Sequence, residues 1–220
     1  MDLQWSPRPS GRSGRFATAM TPKKRRVSHE FHSLSLSPLK SKHSKITRLK
    51  KNKGDMPQWE PKEAGIKLVP IPGAPDPADS PAKRLIQMRR IAREFSATST
   101  ANDGTQTVLR LLSQPLYRYQ SKSAKVTDGG LFGLVYGTDP ELLLIIEARE
   151  EAGHSKWHFA AARCTGLPLN LKHKDKTVWQ CEKAKTWVGD RLYFFCVGVS
   201  EHDADVPMPK STDPDTSPTG

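Results

Sequence analysis

The spacing of apolar residues divides this chain of 220 residues into regions of different character. Between residues 107 and 199, short apolar runs alternate with turn residues, which is typical of an antiparallel meander. The run at residues 142–146 does not alternate with polar residues, so a strand there should be buried on both faces. Leu169 and Leu171 do alternate with polar neighbours, so their strand should have one face in water.

Turn residues between the apolar runs set the boundaries of six or seven predicted strands. Asp128, Gly129 and Gly130 predict a turn. Pro115 lies inside the first run and indicates an edge strand, because proline cannot donate to a strand ladder. The predicted strands cover residues 109–119, 131–136, 141–150, 157–164, 167–173, 177–181 and 191–199.

Residues 82–95 predict one amphipathic helix that packs on this sheet. Ser80 fits the N-cap position and Pro81 fits the first helical position. The spacing of three and four residues places one apolar set on a single face: Leu85, Met88, Ala92 and Phe95. The helix covers one face of the sheet, so the other face of the 142–146 strand needs a different cover. Sheet curling, residues 56–81 or a second copy of the chain could supply it, and the last option predicts a homodimer.

The flanking regions lack a periodic apolar pattern. Residues 1–55 are rich in Ser, Lys and Arg and cannot bury enough apolar surface to offset their chain entropy, so they are predicted to be disordered. Residues 56–81 hold seven prolines and predict a stiff linker, in which a few apolar residues could dock on a surface. Residues 200–220 predict a disordered acidic tail. The fold class is therefore α+β, mainly β, with the domain at residues 82–199.

The formal net charge of +12 comes entirely from residues 1–54, which hold fourteen Lys and Arg and two acidic residues. Such a tail could bind DNA or RNA by releasing counterions from phosphates, without reading the sequence. The candidate residues are Lys23, Lys24, Arg25, Arg26, Arg48, Lys50, Lys51 and Lys53. Met20 and Met56 are possible starts besides Met1, and a start at Met56 would remove this charge.

Cysteine content and hydropathy predict a soluble, cytoplasmic protein. The cysteines at positions 164, 181 and 196 are odd in number and unevenly spaced, which argues against a disulfide framework and favours a reducing compartment. No apolar run approaches the roughly 20 residues that a membrane-spanning helix needs. The first residues lack the apolar stretch of a secretory signal.

Reactive residues occur without a recognisable catalytic or metal-binding spacing. No Cys-x-x-Cys pair is present, so the sequence predicts no metal site and no cofactor, although His158, Cys164 and Cys181 could meet across strands. A thiol enzyme would use Cys164 or Cys196, with His158 or His173 as the base. That hypothesis requires an exposed thiol with a lowered pKa.

Several blocks within residues 108–181 form an ordered pattern. They are LRLLSQPLYRY at 109–119, DGGLFG at 128–133, GTDPE at 137–141, EAR at 147–149, the strand at 157–163, and Val178 with Trp179. In this order the blocks resemble an uncharacterised family of planctomycete proteins. The resemblance implies a bacterial setting and carries no assigned activity or site residues. The matching blocks are turn and core residues, as in a preserved fold.

Three functions remain open from the sequence. The first is a non-catalytic binding or protein-interaction module, which the absence of a catalytic constellation favours. The second is a nucleic-acid-associated protein that acts through residues 1–54. The third is a small hydrolase or thiol enzyme.

Overall fold

The computed structural model describes residues 16–18, 25–39, 50–51, 54–55, 61–184 and 192–200. Within these ranges the chain is mainly antiparallel strand, as the alternating pattern predicted. The elements are β1 (Phe16–Thr18), β2 (Arg25–His32), β3 (Lys50–Lys51), β4 (Gly54–Asp55), β5 (Val69–Pro70), α1 (Pro81–Ala92), β6 (Phe95–Thr100), β7 (Gln106–Leu111), β8 (Tyr117–Ser121), β9 (Val126–Tyr136), β10 (Asp139–Glu151), β11 (His154–Arg163), β12 (Leu169–His173), β13 (Lys176–Cys181) and β14 (Tyr193–Ser200).

The main sheet has nine strands in the order β13-β12-β6-β7-β9-β10-β11-β5, with β8 also paired to β9. Strands β7 and β8 lie end to end along one margin of the long strand β9. The sheet is strongly curled. Three strands separate β6 from β11, yet the ring centroids of Phe95 on β6 and Phe159 on β11 lie only 5.1 Å apart. The curl encloses the principal core.

A second, three-stranded sheet has the order β1-β2-β14. Strand β2 pairs with β14 from Arg25 opposite Ser200 to His32 opposite Tyr193. The structure thus adds strands within residues 1–55, where the sequence predicted none. The strand predicted at residues 191–199 is present as β14.

The helix α1 begins as the sequence predicted. The backbone N–H of Lys83 donates to the Ser80 side chain at 3.3 Å, and Pro81 occupies the first turn. The helix ends before Phe95, which the sequence placed inside it. Phe95 instead opens β6, where it pairs opposite His173 and packs its ring on that imidazole with the centroids 4.6 Å apart.

The principal core lies between α1 and the inner face of the curled sheet. Met88, Ile91 and Ala92 of the helix are almost completely buried. They face large apolar side chains of the central strands, among them Phe132, Leu134, Leu144, Ile146 and Trp157. Burial of apolar surface contributes roughly 25 cal/mol per Å², so this face stabilises the packing of the helix on the sheet.

The outer face of the central strands carries a second, smaller apolar cluster. Ile145 and its neighbours on β11 are buried there, as the continuous run at 142–146 predicted. Residues 61–71, which we call the arm, and residues 34–36 cover this face. The arm, predicted as part of a linker, is thus docked on the sheet, and β5 lies within it. A second copy of the chain is therefore not needed to bury the outer face.

Two predicted boundaries on the meander were wrong. Residues 109–119 do not form one strand: the chain leaves the sheet between β7 and β8, around Pro115. Asp128, Gly129 and Gly130 do not form a turn but lie inside β9. The two glycines need their small size because the Tyr119 ring lies against one face of β9 at Gly129 and Met88 of the helix lies against the other face at Gly130.

Candidate functional site

A cluster of polar side chains continues the outer face of β10 beyond its apolar run. Glu147 is 2% exposed and lies directly opposite His158 in the pairing of β10 with β11. The Tyr119 hydroxyl donates to Oε1 of Glu147 at 2.6 Å, and Nη1 of Arg149 donates to Oε2 at 2.6 Å. Both carboxylate oxygens of Glu147 are therefore occupied.

The partners of Glu147 are themselves held in place. Nη2 of Arg149 donates to the carbonyl oxygen of Ala124 at 2.9 Å, which fixes the guanidinium over the β8–β9 turn. Burial, together with the Glu147 carboxylate, raises the pKa of the Tyr119 phenol above its usual range. Tyr119 is thus a permanent hydrogen-bond donor, because a buried phenolate beside a carboxylate is unfavourable.

His158 lies next to this cluster, and both of its ring nitrogens face oxygen atoms. Nε2 lies 3.0 Å from Oε1 of Glu151, and Nδ1 lies 3.3 Å from the carbonyl oxygen of Lys156. The imidazole is buried, whereas Glu151 is half exposed. The contact between His158 and Glu151 therefore joins a buried side chain of the outer face to one that is exposed to solvent.

A cleft of about 770 Å³ opens beside these residues, between the arm and the margin of β11. Its charged and polar lining consists of Lys67, Arg149, Glu151 and His158. Its apolar lining includes Leu36, Ile66, Leu68, Pro70, Ala161, Trp179 and Leu192. Trp179 belongs to β13 and Ala161 to β11, so the cleft lies at the seam where the curled sheet brings its two ends together.

The arm makes the cleft because it turns away from β11. Strand β5 pairs with β11 at His158 and Phe159. On the N-terminal side of β5 the arm instead donates from the backbone N–H groups of Gly65 and Ile66 to the carbonyl oxygen of Ser35. The gap between Leu68 and β11 is the consequence.

A second buried charge cluster joins the helix to the sheet. Asp128 is completely buried and accepts from Nε of Arg84 at 3.0 Å and from Nε and Nη2 of Arg118 at 2.8 and 2.6 Å. Arg84 also donates to the carbonyl oxygens of Ala78 and Asp79, just before the helix. Because every partner is used internally, we assign this cluster to the fold.

Arg163 closes the loop after β11 in a similar way. Its guanidinium donates to the carbonyl oxygens of Thr165, Leu167 and Glu182 at 2.6 to 2.8 Å, and it lies 5.2 Å from the centroid of the Tyr193 ring. These contacts bind the start of β12, the end of β13 and the second sheet to one side chain. Arg163 therefore helps to hold β13 beside β11, where the two ends of the curled sheet meet.

The two cysteines whose side chains are described, Cys164 and Cys181, do not have the properties that the thiol-enzyme hypothesis requires. Burial and, to a smaller extent, the nearby Glu30 and Glu141 carboxylates together raise the pKa of the Cys164 thiol to about 12. Burial also raises the pKa of Cys181. Cys196 lies on β14, and its side chain is outside the described part of the structure. A thiol of raised pKa is protonated at neutral pH and is a weak nucleophile.

The described residues contain no group of three or more His, Cys, Asp or Glu side chains arranged to hold a metal ion. The set of His158, Cys164 and Cys181 is therefore not brought together as a metal site. His158 contacts Glu151, and His173 lies 3.0 Å from the carboxylate of Glu94, so the two candidate bases face carboxylates instead of thiols.

The candidate nucleic-acid residues of the tail fall outside the part of the chain where side chains are described. Arg25 and Arg26 lie on β2, and Lys50 and Lys51 form β3. The others lie outside the described residues: Lys23, Lys24, Arg48 and Lys53. Nucleic-acid binding by the tail stays a prediction.

Sequence reasoning missed the cleft because its walls come from distant parts of the chain. Neither Tyr119 nor Lys67 was predicted as a site residue. One local signal was present: Glu147, Arg149 and Glu151 alternate directly after an apolar run, which places three charges on one face of a strand that is otherwise buried.

Comparisons with protein families, curated proteins and solved structures found no match to this chain. The resemblance to a planctomycete family stays a prediction. The helix within the described residues is too short to cross a membrane.

Proposed function

We propose that this chain is a non-catalytic binding module that takes an extended peptide segment in the cleft beside the arm. The observation that carries the proposal is the incomplete pairing of β11. On the margin that faces away from β10, β5 pairs with this ten-residue strand at two positions. Beyond Phe159, no strand of the described residues pairs with this margin, which borders the cleft. An extended peptide recognises such a margin by adding a strand to the sheet.

The lining of the cleft supports recognition of side chains as well as backbone. Its walls are mostly apolar and include Leu68, Pro70 and Trp179. A small number of charged groups converge on it from Lys67 and from the polar cluster of β10 and β11. Apolar walls with few convergent polar groups are the usual composition of ligand sites.

Binding is favoured over catalysis by the state of the reactive groups near the cleft. Glu147 has both oxygens engaged by Tyr119 and Arg149, is 2% exposed and does not line the cleft, so a substrate in the cleft does not reach its carboxylate. Cys164 is held in its protonated form. A general base needs a carboxylate that the substrate can reach, and a nucleophilic cysteine needs a deprotonated thiol.

The proposal is tested by selecting peptides from a displayed random library on the whole chain and measuring their affinity for two variants. Lys67→Trp places a large side chain at the mouth of the cleft. Lys172→Trp is the matched control, because Lys172 is also exposed but lies on β12, away from the cleft lining. We expect Lys67→Trp to weaken selected peptides by about tenfold or more, and the control to leave them unchanged.

Two results would contradict the proposal. Equal affinity of the selected peptides for both variants would place binding on another surface. A selection in which no peptide is enriched would remove the extended peptide as the ligand class.

A further inference from the structure

The outer face of α1 carries a row of basic residues without acidic neighbours. Residues 81–93 hold five Lys and Arg and no acidic residue. Arg84 is buried against Asp128 and belongs to the fold. The remaining four are Lys83, Arg89, Arg90 and Arg93, of which Arg89 is half-buried and the others are exposed.

These four cations are not neutralised by the described carboxylates. The described ion pairs use other residues, and no described carboxylate lies within 4.0 Å of Lys83, Arg90 or Arg93. Glu94, the acidic residue that follows the row, is engaged by His173 and Lys174 at 3.0 and 3.1 Å. Nε of Arg89 donates to the Ser113 carbonyl oxygen at 3.2 Å, which fixes that side chain against the sheet.

The concentration of charge is local. Residues 55–220 hold equal numbers of basic and acidic side chains, so the row is an exception within a neutral domain. Favourable interaction with the helix dipole accounts for basic residues in the last turn, but Lys83 lies in the first turn, where a cation is unfavourable. A polyanionic partner explains both ends of the row.

The side chains on the outer face of α1 indicate which class of polyanion it would bind. An anionic membrane requires an exposed apolar side of the helix. Here Met88, Ile91 and Ala92 are buried in the core, and Ile86 is the one large apolar residue of α1 that is exposed. Three of the four cations are arginines, whose planar donors match phosphate oxygens. The helix has no aromatic residue on which an unpaired base could stack.

We infer that the outer face of α1 binds the phosphate backbone of duplex nucleic acid without reading its sequence. The row from Lys83 to Arg93 spans about 15 Å at 1.5 Å per residue. This length is comparable with the width of about 12 Å of a DNA major groove, so the ends of the row reach phosphates on both of its sides. None of these four residues lines the cleft, and none belongs to the basic tail at residues 1–54.

The test measures binding of a fluorescently labelled random-sequence DNA duplex to the whole chain by anisotropy over a range of salt concentrations. The variant Arg90→Gln with Arg93→Gln removes two cations from the row. The control Lys122→Gln with Lys172→Gln removes the same charge from exposed lysines elsewhere. We expect the slope of log affinity against log salt to become shallower by about two for the first variant and to change by well under one for the control.

Equal slopes for the two double variants would overturn the inference and assign any binding to the tail. Displacement of the duplex by poly-glutamate at equal charge concentration would also overturn it, since the face would then recognise carboxylates. A second measurement needs no substitution: phenylglyoxal modifies arginines, and mass spectrometry locates them. The duplex should protect Arg90 and Arg93, and continued modification of both in the complex would contradict the inference.

Discussion

Gly129 and Gly130 are adjacent in β9 and face opposite sides of the strand. On each side a neighbouring side chain occupies the space that a Cβ atom would take. A Cβ atom on Gly129 would lie 2.7 Å from the ring of Tyr119, and one on Gly130 would lie 2.9 Å from Sδ of Met88. The first glycine lets the Tyr119 hydroxyl reach Glu147, and the second lets the helix approach the sheet. The pair therefore serves the outer site and the core at once.

Replacing Gly129 by alanine should lower the free energy of unfolding by about 1–3 kcal/mol, because the Tyr119 ring is anchored by its hydroxyl and cannot move aside freely. Urea denaturation followed by circular dichroism measures the change. Gly166→Ala is the control, because nothing lies within 4 Å of a Cβ at that position, and it should change stability by less than roughly 0.5 kcal/mol. Equal stability of both variants would contradict the close packing at Gly129.

At this scale the sequence was ambiguous. An Asp-Gly-Gly run is typical of a turn, and the contacts that make it part of a strand come from Tyr119 and Met88, which local pattern does not connect. The alternation of Leu169 and Leu171 was interpreted correctly because it depends on neighbours within the same strand. Residues whose role depends on distant contacts were the ones missed.

Among the elements, α1 is held to the sheet by charge as well as by apolar packing. Asp128 accepts from Arg84 on the helix and from Arg118 on β8, and Arg118 also donates to the carbonyl oxygen of Pro81 at the helix start. One carboxylate thus ties the first turn of the helix to two strands. Its loss would leave Arg84, which is 6% exposed, as an uncompensated buried charge.

We expect Asp128→Asn to lower the free energy of unfolding by about 3–5 kcal/mol, since removal of one partner from a buried ion pair leaves the other unpaired. Asp79→Asn is a suitable control, because Asp79 is exposed and lies in the same region of the chain. Urea denaturation of the two variants gives the comparison. A loss at Asp128 no larger than the loss at Asp79 would show that the cluster is not important for stability.

Elements with strong local signals were predicted well. The helix start followed from Ser80 and Pro81, and the paired strands β9–β10, β10–β11 and β12–β13 followed from apolar runs bounded by turn residues. The consecutive strands β11 and β12 do not pair with each other, because β12 crosses to β6. Strand β6 was missed because its sequence, FSATST, is small and polar and gives no apolar alternation. It becomes a strand through its pairing with the following strand, β7, and with β12, which is distant in the chain.

In the whole molecule, the outer face is completed by a crossing of two segments. A Cβ atom on Gly65 of the arm would lie 1.8 Å from the carbonyl oxygen of Ser33, so the two backbones are in direct contact. The sequence left three possible covers for this face, because nothing local indicates where the chain returns. The crossing also buries His32, whose Nε2 lies 3.2 Å from the carbonyl oxygen of Gly65.

Acid should open this crossing. Burial lowers the pKa of His32 to about 4, so the folded state holds it neutral while the open state takes up a proton near pH 6.5. Stability from this residue is complete above pH 6.5 and is lost as the pH falls from there to about 4, with a total of about 3 kcal/mol. Partial desolvation raises the pKa values of Glu30 and Glu141, and these residues act in the opposite direction, because their protonation favours the folded state.

Comparison with His32→Gln isolates the histidine from these carboxylates. Hydrogen exchange of the Gly65 and Ile66 amides, which donate to Ser35, reports the opening of the crossing. Between pH 7 and pH 4, exchange corrected for its intrinsic rate should accelerate more in the natural chain than in the variant. The same pH dependence in both proteins would exclude His32 as the cause.

The pairing of β2 with β14 determines how the second sheet responds to tension. Arg25 lies opposite Ser200, so residues 25 and 200 are at the same end of the ladder. A pulling force applied at these two positions loads one residue pair at a time and separates the strands as a zipper opens. The ladder would resist such a force far less than one loaded in shear, so the second sheet yields at low load while the curled sheet stays closed.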